Sequence, residues 1–292
     1  MADTMMVSRA GEAAISGVSL VDMINNLIIN LFAALATGGA VVISQYLGAR
    51  DKPDADRGAG QLVLLSGILG LAAGGLCLAA AAPIVRVVYG ALDADVFSAS
   101  VEYLRITAVS YPFLALYNAG AALFRSMGNS RISMRVSILM NAINIAGNAV
   151  GVFVLHLGVA GVAWPSVISR AVAAVLILRA AASPENAVTL APAACRRLDG
   201  MLVRRILNIG VPSAFENSLF QAGRILVAGI ITVYGTVQIS ANAVANNLDG
   251  MGIIPGQALG LAMIAVVGRC VGARDYGQAV RYTRRMMGYA YL

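Results

Sequence analysis

Two stretches of the sequence, LGARDKPDADR at residues 47–57 and VGARDYGQAVR at residues 271–281, are nearly the same charged phrase. Each one follows a long uncharged run. A shift of the sequence against itself by 224 residues, without a gap, brings thirteen identical pairs into register over fifty positions, including all four letters of GARD. Similarity at a fixed spacing indicates a duplicated structural unit. The duplication and the runs that precede each copy decide the fold class.

The composition is that of a membrane protein. Apolar residues make up 59% of the 292 residues and charged residues 12%, and the mean hydropathy is +0.78. Soluble domains carry roughly a quarter charged residues. Several uncharged runs reach the roughly 18 residues that a helix needs to cross a bilayer. These runs are 26–49, 58–85, 106–124, 136–169, 225–248 and 250–268.

The pattern predicts an all-α polytopic membrane protein. Alternate connections between its helices then lie on opposite sides, and one side receives 16 of the 21 basic residues. Cytoplasmic loops carry the excess of Lys and Arg, so this side is predicted to be cytoplasmic. The topology explains the net charge of +7 without a nucleic-acid partner and predicts a multi-pass protein of the bacterial inner (plasma) membrane. The predicted helices are the end of one at 1–7, complete ones at 18–47, 58–85, 98–125, 131–155, 160–181, 203–233 and 241–269, and the start of one at 277.

Six predicted helices separate equivalent positions of the two copies, so both copies cross the membrane in the same direction. The two lobes are therefore predicted to be parallel repeats, an arrangement found in secondary transporters. We assign residues 1–182 to an N-terminal lobe, 183–202 to a cytoplasmic linker and 203–292 to a truncated C-terminal lobe. Because a second lobe of equal length would extend past residue 292, we expect a fragment of a twelve-helix protein that lacks most of the first helix and the last helices.

Five phrases, in order along nearly the whole chain, resemble the multidrug and toxic compound extrusion (MATE) transporters. They are ADTMMVSRAGEAAISGVSL, GGAVVISQYLGARD, FRSMGNSRISM, NAINIAGNAVGVFVLHLGVAGVAWPSVIS and IGVPSAFENSLFQAGRILV. The resemblance implies two six-helix lobes around a central cavity and export of amphipathic or cationic compounds by antiport with H⁺ or Na⁺. We accordingly expect a monomer in the lipid bilayer, with a small-molecule substrate and no cofactor.

The resemblance also implies a cation or proton site in the N-terminal lobe. The family's acid on the first helix corresponds to Asp3, and its partners on the fifth and sixth helices correspond to Asn144, Asn148 and Ser166. Asn144 and Asn148 are four residues apart and share a helix face, with Asn141 on a similar side. Amide oxygens can coordinate a hard cation or bond to a protonated acid. A terminal, solvated carboxylate is the alternative for Asp3.

Two features leave this site open to other interpretations. Several family members have a carboxylate where this chain has Asn148, and the lost charge favours proton coupling or a displaced ion site. Gly147 and Gly151 have the spacing of small residues that bring helices together, so the amides could serve only helix packing.

In the C-terminal lobe, Glu216, Gln221 and Arg224 are the predicted groups for substrate binding or coupling. Glu216 follows Pro212 by one turn. A proline at membrane depth opens the backbone hydrogen-bond ladder, so a nearby acid is expected to face a cavity. The alternative is an ion pair with an arginine of another helix, such as Arg170.

A further pair of candidates follows from the repeat alone. Asp22 and Asn25 align with Asn246 and Asp249, so each copy has one acid and one amide on one helix face. Facing helices of the two lobes would place Asp22 and Asp249 beside a central cavity, where they would attract a cationic substrate. Hydrogen bonding between neighbouring helices is the alternative.

Other classes of protein are disfavoured by what the spans contain. The three cysteines have neither close pairing nor metal-ligand spacing. No GxSxG motif, Ser/His pair or His/Asp/Glu cluster occurs in the spans, so we predict no enzyme, no catalytic residues and no metal beyond Na⁺.

Each GARD phrase is expected to end a helix at its glycine. Two alternatives stay open: a flippase for a lipid-linked precursor, and a truncated membrane protein without transport activity.

Overall fold

The computed structural model describes residues 12–90, 92–155, 157–190, 198–232 and 236–291. Across these ranges the regular structure is helical and includes no strand. The helices are α1 (Glu12–Gly48), α2 (Lys52–Ala79), α3 (Ala81–Tyr89), α4 (Ala94–Val109), α5 (Tyr111–Ser126), α6 (Ser130–Ala149), α7 (Ala160–Ala181), α8 (Gly200–Thr232), α9 (Thr236–Gly272) and α10 (Tyr276–Ala290). A π-helical turn, Val150–Val154, continues α6. The prediction of an all-α protein is confirmed.

Several helices are long and apolar enough to cross a bilayer. Within the described ranges there are five, in α1, α2, α6 with its π turn, α7 and the second half of α9. A sixth span forms if α4 and α5 are taken together. α8 does not reach the same apolarity, because polar residues interrupt it between Asn208 and Arg224. The prediction of a multi-pass membrane protein is confirmed.

Two predicted helices are broken in the structure, and both breaks coincide with a proline. The helix expected at 98–125 bends by 47° between α4 and α5, with Pro112 in the first turn of α5. The helix expected at 58–85 is divided at Ala80, and Pro83 lies in the first turn of α3. Proline has no backbone N–H and suits the first turn of a helix, so it marks a new start.

The duplication is visible as matching helices. α1 and α9 are both 37 residues long, and both their first and their last residues are 224 positions apart. The first residues of α2 and α10 are also 224 positions apart. The turns that follow α1 and α9 also match, because Arg50 has a φ of 59° and Arg274 a φ of 58°. In each turn an aspartate then caps the next helix. Asp51 Oδ1 accepts the Asp54 N–H over 3.2 Å, and Asp275 Oδ1 accepts the Gln278 N–H over 2.9 Å.

The glycines of the two GARD phrases end their helices, as expected, and they also bring two backbones together. Gly48 and Gly272 are the last helical residues, and the left-handed position is taken by Arg50 and Arg274. A Cβ on Gly48 would overlap the carbonyl oxygen of Arg269, and a Cβ on Gly272 would overlap that of Gln45. Glycine is therefore required for close approach of two backbones.

This contact fixes the direction of the repeats. Because Gln45 and Arg269 are equivalent in the two copies, α1 and α9 cross about a local twofold axis at their C-terminal ends. The crossing also includes Ser44, whose hydroxyl donates to the Ile264 carbonyl over 3.2 Å. Both GARD turns thus lie on one side, the basic side, and the copies run parallel as predicted.

Away from the crossing, α1 packs against α8. A Cβ on Gly38 would lie 2.5 Å from the Ile206 carbonyl oxygen and 2.8 Å from the Gly210 nitrogen. Farther along α8, every residue from 215 to 220 is exposed, as are residues 252–258 of α9. The described contacts of α1 with α8 and α9 therefore lie towards the basic side, and side chains farther along α8 and α9 are exposed.

The start of the linker is attached to the N-terminal half. Val188 is fully buried, and the Thr189 N–H donates to Asp56 Oδ1 over 2.7 Å. At the far end of the linker, the Asp199 N–H donates to Gln61 Oε1 over 2.9 Å. Both acceptors lie on α2, so the flanks of residues 191–197, which are outside the described ranges, are held by one helix. The division into two lobes and a linker stays a prediction.

Candidate functional site

Three of the side chains predicted for the N-terminal site meet between α6 and α7. Asn144 Nδ2 donates to Ser166 Oγ over 2.8 Å, and Asn148 Nδ2 donates to Asn144 Oδ1 over 3.4 Å. Asn148 is fully buried and Ser166 is 3% exposed. The cluster therefore presents amide and hydroxyl oxygens inside the lobe, which is the ligand chemistry of a hard cation or of a protonated acid.

Small residues hold the two helices at this distance. A Cβ on Gly147 would lie 2.6 Å from Pro165 Cβ, and Gly151 and Gly161 meet backbone to backbone. The π-helical turn begins two residues after Asn148, and such turns interrupt the regular helix ladder. The packing interpretation of these glycines is therefore compatible with the site, because the close approach is what brings Ser166 within reach of Asn144.

Two further residues considered for this site do not appear in the cluster, one because of its position and one because it is outside the described residues. Asn141 is exposed and donates to the Ser137 carbonyl of its own helix over 2.9 Å, so it does not join the cluster. The reason is axial, because seven residues place Asn141 almost two turns, about 10 Å, from Asn148 along the helix. Asp3 lies outside the described residues.

The C-terminal candidates occupy the polar part of α8. Glu216 is exposed and Gln221 is partly exposed. The side chain of Arg224 lies outside the described residues. Arg170, the alternative partner for Glu216, instead donates from Nη1 to Ser110 Oγ over 2.6 Å, within the N-terminal half.

Asp22 and Asn25 lie against α4 and α5, within the N-terminal half, as the alternative of hydrogen bonding between neighbouring helices expects. A role beside a central cavity stays a prediction. Tyr103 donates its hydroxyl to Asp22 Oδ1 over 3.3 Å, and Tyr111 donates to Asn25 Oδ1 over 2.7 Å. Asp249 is exposed on α9, and the side chain of Asn246 lies outside the described residues. Asp22 and Asn25 therefore lie beside two buried tyrosines, whereas Asp249, which the repeat aligns with Asn25, is exposed.

Sequence reasoning missed these tyrosines and the Arg170 to Ser110 bond. Tyr103 and Tyr111 are eight residues apart, and the intervening bend brings both hydroxyls onto α1. One signal was present, because Pro112 predicts a helix start and hence a break before it. A break changes which face each tyrosine presents.

The described ranges contain no group of three or more His, Cys, Asp or Glu side chains arranged to hold a metal ion. The described polar groups that bond between helices of this half include amides, hydroxyls, the Asp22 carboxylate and the Arg170 guanidinium. Such groups bind monovalent cations, protons or polar solutes. The fold is that of a polytopic helical membrane protein with a parallel repeat, an arrangement found in secondary transporters.

Comparison with known proteins specifies the family. The MatE family model matches residues 1–150 and 212–292, and the chain belongs to that family. Members of this family are transporters, which agrees with the prediction that the chain is not an enzyme.

Relatives and solved structures agree with this assignment. The chain is 28% identical to the uncharacterized transporter YisQ of Bacillus subtilis over 99% of its own length and 64% of that protein. It is 24% identical to the probable multidrug resistance protein NorM of Thermotoga maritima, over 93% of the chain and 59% of that protein. It therefore spans about three fifths of the length of these relatives. An outward-facing multidrug resistance MATE transporter has the same fold, with a TM-score of 0.89 and 22% identity over 99% of this chain and 64% of that one.

Proposed function

We propose that the protein acts, as a monomer, as a secondary active antiporter that exports amphipathic or cationic compounds across the bacterial inner membrane. A gradient of H⁺ or Na⁺ drives the export. The observation that carries the proposal is the parallel crossing of the equivalent helices α1 and α9 at the basic side, with exposed side chains farther along α8 and α9. A pair of similar lobes that closes one side while it opens the other meets the requirement for alternating access.

The side of α8 beyond its contact with α1 is suited to cargo. Glu216 is exposed there, and Phe215 and Phe220 are 65% and 64% exposed. A carboxylate beside aromatic rings attracts organic cations, since the carboxylate supplies charge and the rings supply apolar area and cation–π contact. The names of relatives such as the probable multidrug resistance protein NorM support drug-like cargo.

The cluster of Asn144, Asn148 and Ser166 is the proposed ion site of the N-terminal half, with Asp3 as its acid. Asn148 and Ser166 are buried and Asn144 is partly exposed, so an ion entering the cluster exchanges water for protein ligands. Binding of H⁺ or Na⁺ to the cluster would then favour one arrangement of the two halves. Binding of cargo beside α8 would favour another. Differential affinity of this kind is what allows a ligand to shift a conformational equilibrium.

Transport into everted membrane vesicles tests the proposal. Vesicles containing the protein are given a fluorescent organic cation under a proton gradient alone and a sodium gradient alone. We expect accumulation under one of the two gradients and none after both are dissipated. Equal accumulation with and without the protein, under either gradient, would contradict the proposal.

A matched pair of variants separates the ion site from general damage to α6. Asn148→Ala removes a buried amide of the cluster, whereas Asn141→Ala removes an exposed amide that bonds only to its own helix. We expect ion-driven accumulation to fall about tenfold in Asn148→Ala, through loss of roughly 1.4 kcal/mol of ion binding, and to stay unchanged in Asn141→Ala. An equal loss in both variants would remove the ion-site assignment.

A further inference from the structure

A cavity of about 520 Å³ lies between α9 and the N-terminal half of the molecule, near the basic side. Helices α5 and α6 form one wall of this cavity, and α9 forms the other. The α9 wall consists of small or apolar residues, Ala258, Leu261, Ala262, Ala265 and Val266. A volume of this size is within the range of small-molecule sites.

The opposite wall supplies a positive charge. Arg125 lies in the last turn of α5, and Tyr117 and Ala121 precede it on the same helix face at intervals of four residues. On α6 the lining includes Ser130 and Ser137. Arginine and hydroxyl donors suit a phosphate group, because a guanidinium can donate two parallel hydrogen bonds to its oxygens.

A second guanidinium borders the same end of the cavity. Arg269 of α9 donates from Nη2 to the carbonyl of Ser126, the last residue of α5, over 3.1 Å. The same Nη2 would lie 3.8 Å from a Cβ on Gly128, a residue of the cavity lining. Arg269 Nε is buried and has no hydrogen-bond partner within the described part of the chain. A buried N–H of this kind indicates an acceptor that the protein itself does not supply.

The helices around the cavity carry a strong excess of positive charge. Their only acid is Asp249, which precedes the first α9 residue of the lining by nine positions, about 14 Å along the helix. Within the described ranges, no arginine of these helices forms an ion pair. The arginines of α5, α6 and α9 are Arg125, Arg131, Arg135 and Arg269.

The rest of the lining is apolar and continues away from the basic side. From Val266 to Ala258 the α9 wall extends about 12 Å, and Met134 belongs to the opposite wall. An inorganic anion would leave this apolar surface uncovered. A phospholipid would place its phosphate beside the arginines and its acyl chains along the apolar wall. Basic pockets between membrane helices on the cytoplasmic side bind anionic headgroups in this way.

We propose that this cavity binds an anionic phospholipid of the leaflet on the basic side, with Arg125 and Arg269 as the ligands of its phosphate. The bound lipid contacts both the N-terminal half and α9. A ligand of this kind stabilises the arrangement in which α9 lies beside α5 and α6. Binding of the lipid does not rest on the proposed transport function.

Native mass spectrometry tests the proposal without measuring transport. The protein in detergent is titrated with dioleoylphosphatidylglycerol and, in parallel, with dioleoylphosphatidylcholine, which has the same acyl chains and no net charge. We expect one phosphatidylglycerol molecule to bind about tenfold more tightly than phosphatidylcholine. Equal affinities for the two lipids would overturn the proposal.

A matched pair of variants separates the cavity from the general positive charge of the basic side. Arg125→Gln removes the guanidinium that lines the cavity, whereas Arg179→Gln removes an exposed one from the last turn of α7. We expect the affinity for phosphatidylglycerol to fall about tenfold in Arg125→Gln and to stay unchanged in Arg179→Gln. Equal affinities of the two variants would overturn the assignment of the site.

A second pair keeps the test decisive if Arg125→Gln does not fold. Ala262→Trp fills the cavity from α9 without a change of charge, and Ile254→Trp, at an exposed position outside the lining, is its control. We expect tight binding of phosphatidylglycerol to be lost in Ala262→Trp alone. Its retention in Ala262→Trp would overturn the proposal.

Inorganic phosphate provides the last arm of the experiment, because it has the anionic group without the acyl chains. We expect it not to displace the bound lipid at the concentrations at which phosphatidylglycerol binds. Displacement at those concentrations would assign the cavity to a soluble anion and overturn the lipid assignment. Because no gradient or cargo is involved, a failed vesicle assay together with tight lipid binding would contradict only the proposed antiport.

Discussion

Gly48 and Gly272 are equivalent residues of the two repeats, and each faces a carbonyl oxygen of the other repeat's helix. Those carbonyls belong to Arg269 and Gln45, which are also equivalent. The crossing of α1 and α9 is therefore a contact between two copies of the same surface. A contact between two copies of one surface has local twofold symmetry. We expect the two halves of the duplicated chain to move about this local twofold axis.

The first prediction concerns this crossing. Gly272→Ala places a methyl group against the Gln45 carbonyl, so the helices must separate, and we expect a loss of about 1–3 kcal/mol in stability. Gly260→Ala on the same helix meets nothing within 4 Å and should be neutral or slightly stabilising. Thermal unfolding in detergent compares the two variants, and equal melting temperatures would refute the close crossing.

The second prediction concerns the left-handed residue of the first turn. Arg50 has a φ of 59°, a conformation that glycine adopts without penalty, so Arg50→Gly should stabilise the protein by about 1 kcal/mol. Arg57→Gly provides the opposite control, because Arg57 lies inside α2 and glycine there costs about 1 kcal/mol. Shifts of the same sign in the two melting curves would contradict the turn geometry.

Much of this architecture was predictable from hydropathy and duplication. The ends of α7 agree with the predicted residues 160–181, because uncharged runs and charged flanks define a membrane helix well. The parallel orientation was predictable as well, since it depends only on how many spans separate the GARD phrases. The bend at Ser110 was not, because uncharged sequence continues through it and Pro112 alone marks the break.

The site was less predictable than the fold. The i, i+4 spacing brought Asn144 and Asn148 together correctly, since that spacing is local. The partners of Asp22 depend on how α4 and α5 rotate after their bend, and no pattern within α1 contains that information. The surroundings of Asp22 and Asp249 differ for the same reason, although the repeat makes their helices equivalent.

The third prediction concerns cargo. Replacement of the exposed Glu216 by Gln removes a negative charge from the open side of α8, and we expect the half-saturating concentration of an organic cation to rise about tenfold. Glu185→Gln makes the same chemical change in the exposed linker and should leave transport unaltered. Measured export of a neutral substrate should not distinguish the two variants, and equal saturation curves for the cation would contradict the assignment of Glu216.

The fourth prediction concerns the ion cluster. Ser166→Ala removes the oxygen that accepts from Asn144 over 2.8 Å, so the driving-ion concentration for half-maximal transport should rise by about tenfold. Ser133→Ala is the control, because its hydroxyl bonds only the Ser130 carbonyl of its own helix, over 3.0 Å. Unchanged ion dependence in Ser166→Ala, with export intact, would mean that this cluster only packs helices.

The distance between the two GARD turns tests the central claim most directly. Nitroxide labels at Arg50→Cys and Arg274→Cys, in a background without Cys77, Cys195 and Cys270, report this distance by pulsed electron spin resonance in proteoliposomes. We predict one short distance at rest and a second, longer population when cargo and the driving ion are supplied. A single unchanged distance under conditions where export is measured would contradict the account of two parallel halves that open and close about their crossing.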